Sequence, residues 1–148
     1  MYEILLTIHN LARWLFLAAA LYAMIRALQG VRNQSPFGKS DKTAGAVLLS
    51  IAHSQLLIGL VLWFISPKVQ DAIAMIGASM KDSDKRLQIL EHPLTMILAV
   101  VLIQIGRIKS KKAYADSDKH KRSLMYYGLG LVMVLSRIPW GNTPLFRF

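Results

Sequence analysis

Four long apolar runs constrain this chain more than any other feature. They cover about residues 4–27, 44–66, 87–106 and 123–138. Each approaches the ~20 residues that an α-helix needs to cross a hydrocarbon layer ~30 Å thick. Pro67 closes the second run and Pro139 the fourth, where the missing N–H interrupts a helix. No run alternates as a barrel strand does, and four strands cannot close a barrel. Backbone polar groups in lipid must be satisfied within the segment, which leaves helices. The expected fold is all-α: a four-helix transmembrane bundle forming a single membrane domain over residues 1–148. The fourth run is the shortest and needs help from its neighbours or local thinning of the bilayer. The first run carries no basic leader and exceeds the apolar length of a signal peptide, so it reads as a retained span.

Charge follows the same partition. The formal net charge is +10, which in a soluble domain would point to nucleic acid. Here the basic residues sit between the apolar runs, so the expected partner is the lipid bilayer and no nucleic acid. With 54% hydrophobic residues, the chain has more apolar surface than a soluble domain of this size can hide. The absence of cysteine excludes disulfides, thiolate metal sites, iron–sulfur clusters and thioether-linked haem.

The connectors set the expected topology. Residues 26–42 carry Arg26, Arg32, Lys39 and Lys42 against Asp41. Residues 107–122 carry Arg107, Lys109, Lys111, Lys112, Lys119, Lys121 and Arg122 against Asp116 and Asp118. The second connector is balanced. The positive-inside rule places the first and third connectors in the cytoplasm and both termini on the outer, periplasmic side of a multi-pass cytoplasmic (inner) membrane protein. Trp14, Trp63 and Trp140 then lie toward the outer interface. In the second connector Val69, Ile73, Ile76 and Met80 recur at helical spacing, and Ser83 is a candidate cap for an early start of the third span. Two readings of this segment stand: a short interfacial amphipathic helix, or a solvated loop.

Ionisable residues inside spans are costly, so each is a candidate site residue. They are His9 and Arg13 in the first span, His53 in the second, Glu91 and His92 in the third, and Arg137 in the fourth. His120 lies in the basic third connector and takes no special role. Counted from the charge at the foot of each helix, His9 lies roughly 25 Å up, His92 and Arg137 roughly 22 Å, Arg13 roughly 20 Å and His53 only roughly 16 Å. Two histidines at one depth on diagonal helices meet the need of a bis-imidazole haem b, with His9 and His92 on the iron and His53 in reserve. Arg13 and Arg137 would each pair with a propionate. Ala12, Ala18, Ala19, Ala20, Gly128 and Gly130 would let neighbouring helices approach around the ring. Outside this role His53 should bond Ser50 or Gln55. Two other readings remain: Glu91 neutralising Arg13 or Arg137 with no ligand, and a quinone headgroup held by the histidine–arginine cluster. Zinc or copper finds no compact motif, and Met24, Met96, Met125 and Met133 are scattered.

Several of these motifs resemble a family of short four-span bacterial proteins catalogued as "cytochrome B" and typical of the Bacteroidetes lineage. The matching pieces are His9-x-x-x-Arg13-Trp14, His53-x-Gln55-Leu56-Leu57-x-Gly59, Glu91-His92, Gly106-Arg107-x-Lys109-Ser110-Lys111-Lys112, Lys119-His120-Lys121-Arg122 and Ile138-Pro139-Trp140. The resemblance covers nearly the whole chain. It implies haem b and electron transfer. The expected function is a membrane electron carrier with one haem b, with a quinone or membrane redox partner, as an oligomer or as a subunit of a larger respiratory complex. The alternative is a non-catalytic membrane subunit or quinone binder without haem. The fourth span has no histidine, so the four-histidine, two-haem pattern of a quinol-oxidising cytochrome b is absent.

Overall fold

The computed structural model describes residues 1–141, and every regular element among them is helical. The order is α1 (Tyr2–Asn33), α2 (Lys39–Ile65), α3 (Pro67–Ala74), α4 (Ile76–Ser79), α5 (Ser83–Arg86), a π-helical turn (Leu87–Glu91), α6 (His92–Lys112) and α7 (Asp116–Arg137). Three helical stretches are long and apolar enough to cross a membrane: Tyr2–Asn33, Lys39–Ile65 and the continuous Ser83–Lys112. These are the marks of a multi-pass membrane protein. The helix α7 misses that composition because its first two turns carry Asp116, Asp118, Lys119, Lys121 and Arg122.

The four long helices pack in the ring order α1–α2–α6–α7 and back to α1, so α1 and α6 lie on one diagonal. The core along the axis is built from Phe16, Ala20, Leu48, Ala52, Ala99, Ile103, Tyr127 and Val134. Large apolar residues also point outward from every long helix, among them Leu15, Leu57, Phe64, Val101 and Val132. An apolar surface on all sides of an apolar core is the pattern of a bundle solvated by lipid. Of the expected small-residue contacts, Gly130 serves α6: a Cβ there would lie 2.7 Å from Ile103 Cγ1. Gly128 instead faces Met24 with space to spare.

Helix ends at the basic side of the bundle are locked by polar groups. Asp41 Oδ2 accepts from the Gly38 N–H at 2.9 Å, capping α2, and its Oδ1 meets Arg26 Nη2 at 2.9 Å, tying α1 to α2. His120 is buried in this end, with Nε2 3.2 Å from the Ser35 carbonyl and its ring 4.9 Å from Phe37. Sequence alone had placed it in a plain connector.

The second connector is helical but broken. Pro67 starts α3 at a position that needs no N–H donor, and Met75 interrupts the run before α4. Val69, Ile73 and Met80 pack against Trp63 and Ile89, while Ile76 stays exposed. The cap of α5 is Asp82, whose Oδ1 accepts from Asp84 N and Lys85 N, rather than Ser83. The helix starts one residue earlier than expected, so the cap position falls on Asp82, and its one oxygen takes both first-turn donors.

Candidate functional site

The π-helical turn before His92 follows from Pro93. Proline has no N–H, so it cannot donate to the Ile89 carbonyl four residues back. The turn widens, and the His92 N–H bonds to the Leu87 carbonyl instead. The orphaned Ile89 carbonyl takes the indole N–H of Trp63 on α2 at 3.0 Å. Such π-bulges are frequent at functional sites, and this one aims His92 into the bundle.

His92 meets His9 across the α1–α6 diagonal, with ring centroids 6.5 Å apart and planes at 77°. Both rings line a half-open cavity of about 260 Å³. Its α1 wall runs from Tyr2 to Phe16, so it is a slot roughly 20 Å long at 1.5 Å per residue. Opposite are Gln55, Gly59 and Trp63 of α2 and Met96 of α6, with Val134 from α7. The His92 ring donates through Nδ1–H to the Arg137 carbonyl at 2.7 Å, which leaves the lone pair on Nε2. His9 Nδ1, Asn10 Nδ2 and Gln55 Oε1 are buried without a hydrogen-bond partner.

Of the residues singled out from sequence, His9, His92 and Arg13 come together in this slot. Arg13 also lies against two indoles, its Cζ 5.4 Å from the Trp14 ring and 5.7 Å from the Trp140 ring. Arg137 contributes its carbonyl and not its guanidinium. The guanidinium Nε pairs with Glu91 Oε2 at 3.3 Å, and Arg86 Nε holds the other Glu91 oxygen at 2.7 Å. Glu91 therefore bonds Arg137, one of the two arginines that the ligand-free reading offers it, and also Arg86. His53 lies outside the slot. Its Nδ1 is 3.0 Å from the Leu49 carbonyl and its Nε2 3.1 Å from Gln104 Oε1, so its partners are neither Ser50 nor Gln55. Gln55 instead donates to the His9 carbonyl at 2.8 Å.

Ionisable groups alone do not point to Asn10, and they give Gln55 only as a partner for His53 and Gly59 only as part of a motif. A carboxamide inside an apolar span is itself a signal, because it too must find a partner in lipid. Gly59 shows its role only in three dimensions: a Cβ there would lie 3.0 Å from His9 Cε1.

The donor set fits a bis-imidazole metal. Two metal–nitrogen bonds of about 2 Å, plus half a ring at each side, come to roughly 6 Å between centroids. The volume is below the ~300–1,000 Å³ of sites that enclose a drug-sized ligand, so the slot as it stands does not enclose a whole porphyrin. No cluster of three or more histidine, cysteine or acidic ligands occurs among the described residues. No known protein family, curated protein or solved structure matches the chain. The resemblance to short four-span cytochrome B proteins rests on its sequence motifs alone.

Proposed function

We propose that this chain is a four-span electron-transfer protein of the cytoplasmic membrane that holds one haem b between His9 and His92. The observation that carries the reading is the 6.5 Å separation of those two rings across the bundle. His92 is set for ligation by its Nδ1–H bond to the Arg137 carbonyl, the usual outer partner of a metal-bound imidazole. Arg13 and Asn10, one turn apart on α1, supply cationic and amide donors along the slot for the acidic rim of such a group. A haem so held supplies one-electron chemistry whose potential is tuned by its axial ligands and its burial. The mostly apolar walls would limit water around such a group.

In this reading α7 is the fourth span. Leu129, Val132 and Leu135 face outward beyond its charged first turns, as lipid-facing residues do. The basic ends of α1, α2, α6 and α7 lie in the cytoplasm and the termini outside. Trp140, just past the outer end of α7, reaches Trp14 on α1, with ring centroids 6.5 Å apart.

An absorption spectrum of the purified protein tests the haem. A Soret band, with an α-band in the b-type region on reduction, is expected. Folded protein that is colourless when made in haem-replete cells overturns the reading. A second reading, a quinone headgroup site without haem, is favoured by one observation: Asn10 Nδ2 and Gln55 Oε1 offer an unused donor and an unused acceptor in the same slot. A quinone co-extracted from colourless protein decides for it.

A further inference from the structure

Two buried polar atoms without partners belong to residues already joined by a hydrogen bond. His9 Nδ1 and Gln55 Oε1 each lack a hydrogen bond. The Gln55 amide is already anchored on the same residue, since its Nε2 donates to the His9 carbonyl at 2.8 Å. Gly59 lies one turn along α2 on the same face as Gln55. A Cβ at Gly59 would stand 3.0 Å from His9 Cε1 and 3.6 Å from Nδ1. Helix α2 therefore packs against the Cε1–Nδ1 edge of the imidazole, with glycine making room and glutamine bringing an unused acceptor on the same face.

We infer that Gln55 is the positioning residue of His9: its carboxamide oxygen takes the Nδ1–H proton, which leaves the Nε2 lone pair for the slot. The bond requires a rotation about the terminal torsion of glutamine, which is broad. His92 meets the same requirement through the Arg137 carbonyl. Each imidazole then carries its proton on Nδ1, and both Nε2 atoms are bare. An acceptor on the far nitrogen also makes an imidazole a stronger ligand. The purpose of this arrangement rests on the haem reading, but the proton position does not.

The test uses full-length protein in nanodiscs, labelled with ¹⁵N-histidine, with the His9 signals assigned by their loss in His9→Gln. Wild type should show a protonated Nδ1 and a bare Nε2. Gln55→Glu, which keeps an oxygen, should preserve that tautomer, and Gln55→Met should lose it. In haem-loaded protein the reduction potential should fall in Gln55→Glu and rise in Gln55→Met. A side chain that only braces the His9 carbonyl would leave the tautomer unchanged in both variants, and that result overturns the inference. A wild-type His9 with its proton on Nε2 overturns it as well, whatever the fate of the variants. Colourless protein with the expected tautomer defeats the haem reading and leaves Gln55 in its role.

Discussion

Trp63 on α2 donates its indole N–H at 3.0 Å to the carbonyl of Ile89, the one carbonyl that Pro93 deprives of its helical donor. Ile89 is buried, so Trp63→Phe should leave that carbonyl unsatisfied at a cost of about 1–3 kcal/mol. Pro93→Ala restores the missing N–H. The double variant should therefore melt above Trp63→Phe alone, a coupling that thermal unfolding of all three variants will read. Simple addition of the two effects would show that the bond to Trp63 does not compensate for Pro93.

The proposed haem ligation is tested by spectra of three alanine variants. His9→Ala and His92→Ala should lose the haem or leave it five-coordinate. His53→Ala should keep it six-coordinate and low-spin, because both its ring nitrogens are already engaged outside the slot. Loss of haem in His53→Ala alone, with a six-coordinate His9→Ala, would move the ligand to α2.

The basic end of the bundle depends on the close approach of α1 to His120. A Cβ at Gly30 would fall 2.2 Å from His120 Nδ1, and that ring is only 1% exposed. Gly30→Ala should cost about 1–3 kcal/mol by overpacking, and adding His120→Ala should recover part of the loss. Thermal midpoints of the single and double variants give the answer; no recovery would mean that the strain lies elsewhere.

Asp116, at the start of α7 outside the apolar run, accepts from Lys119 Nζ at 2.7 Å. That bond and one from the Phe37 backbone hold its carboxyl below the ordinary carboxylate range. A depressed folded-state value means stability that is present above the unfolded value of about 3.9 and lost as pH falls through the folded one. Wild type should therefore exceed Asp116→Asn in thermal stability near neutral pH, and the gap should close under acid. A gap that widens as pH falls would contradict this sign.

Cysteine labelling addresses the orientation. Ser79 is fully buried, so its exposed neighbour Ala78 is the better probe of the second connector. Cysteine at Ala78 should react with an impermeant reagent in intact cells, and cysteine at Ser117 only after permeabilisation. The opposite pattern inverts the topology.

Much of the architecture was legible because lipid imposes it. Four apolar stretches near 20 residues, with Lys and Arg gathered between them, leave helices as the only solution, and spacing along each helix put His9 and His92 at one depth. Helix ends were less legible. The helices run past the apolar runs at the basic side, to Asn33 and Lys112, because capping and charge pairing there are local polar events that hydropathy does not record. Ser83 lost the cap to Asp82 for the same reason.

Sequence by itself determined that the chain is helical and apolar on its outside, and which ionisable residues must find partners inside it. Which partners they find was decided only by the tertiary structure. Spacing gives depth along a helix, but azimuth and the reach of a side chain depend on neighbouring helices. Thus Arg137 turned from the slot to Glu91, His53 to Gln104, and Gln55 to His9. The widened turn at Leu87–Glu91 also needed both: Pro93 creates an unpaired carbonyl in the sequence, but only the packing of α2 brings Trp63 to satisfy it.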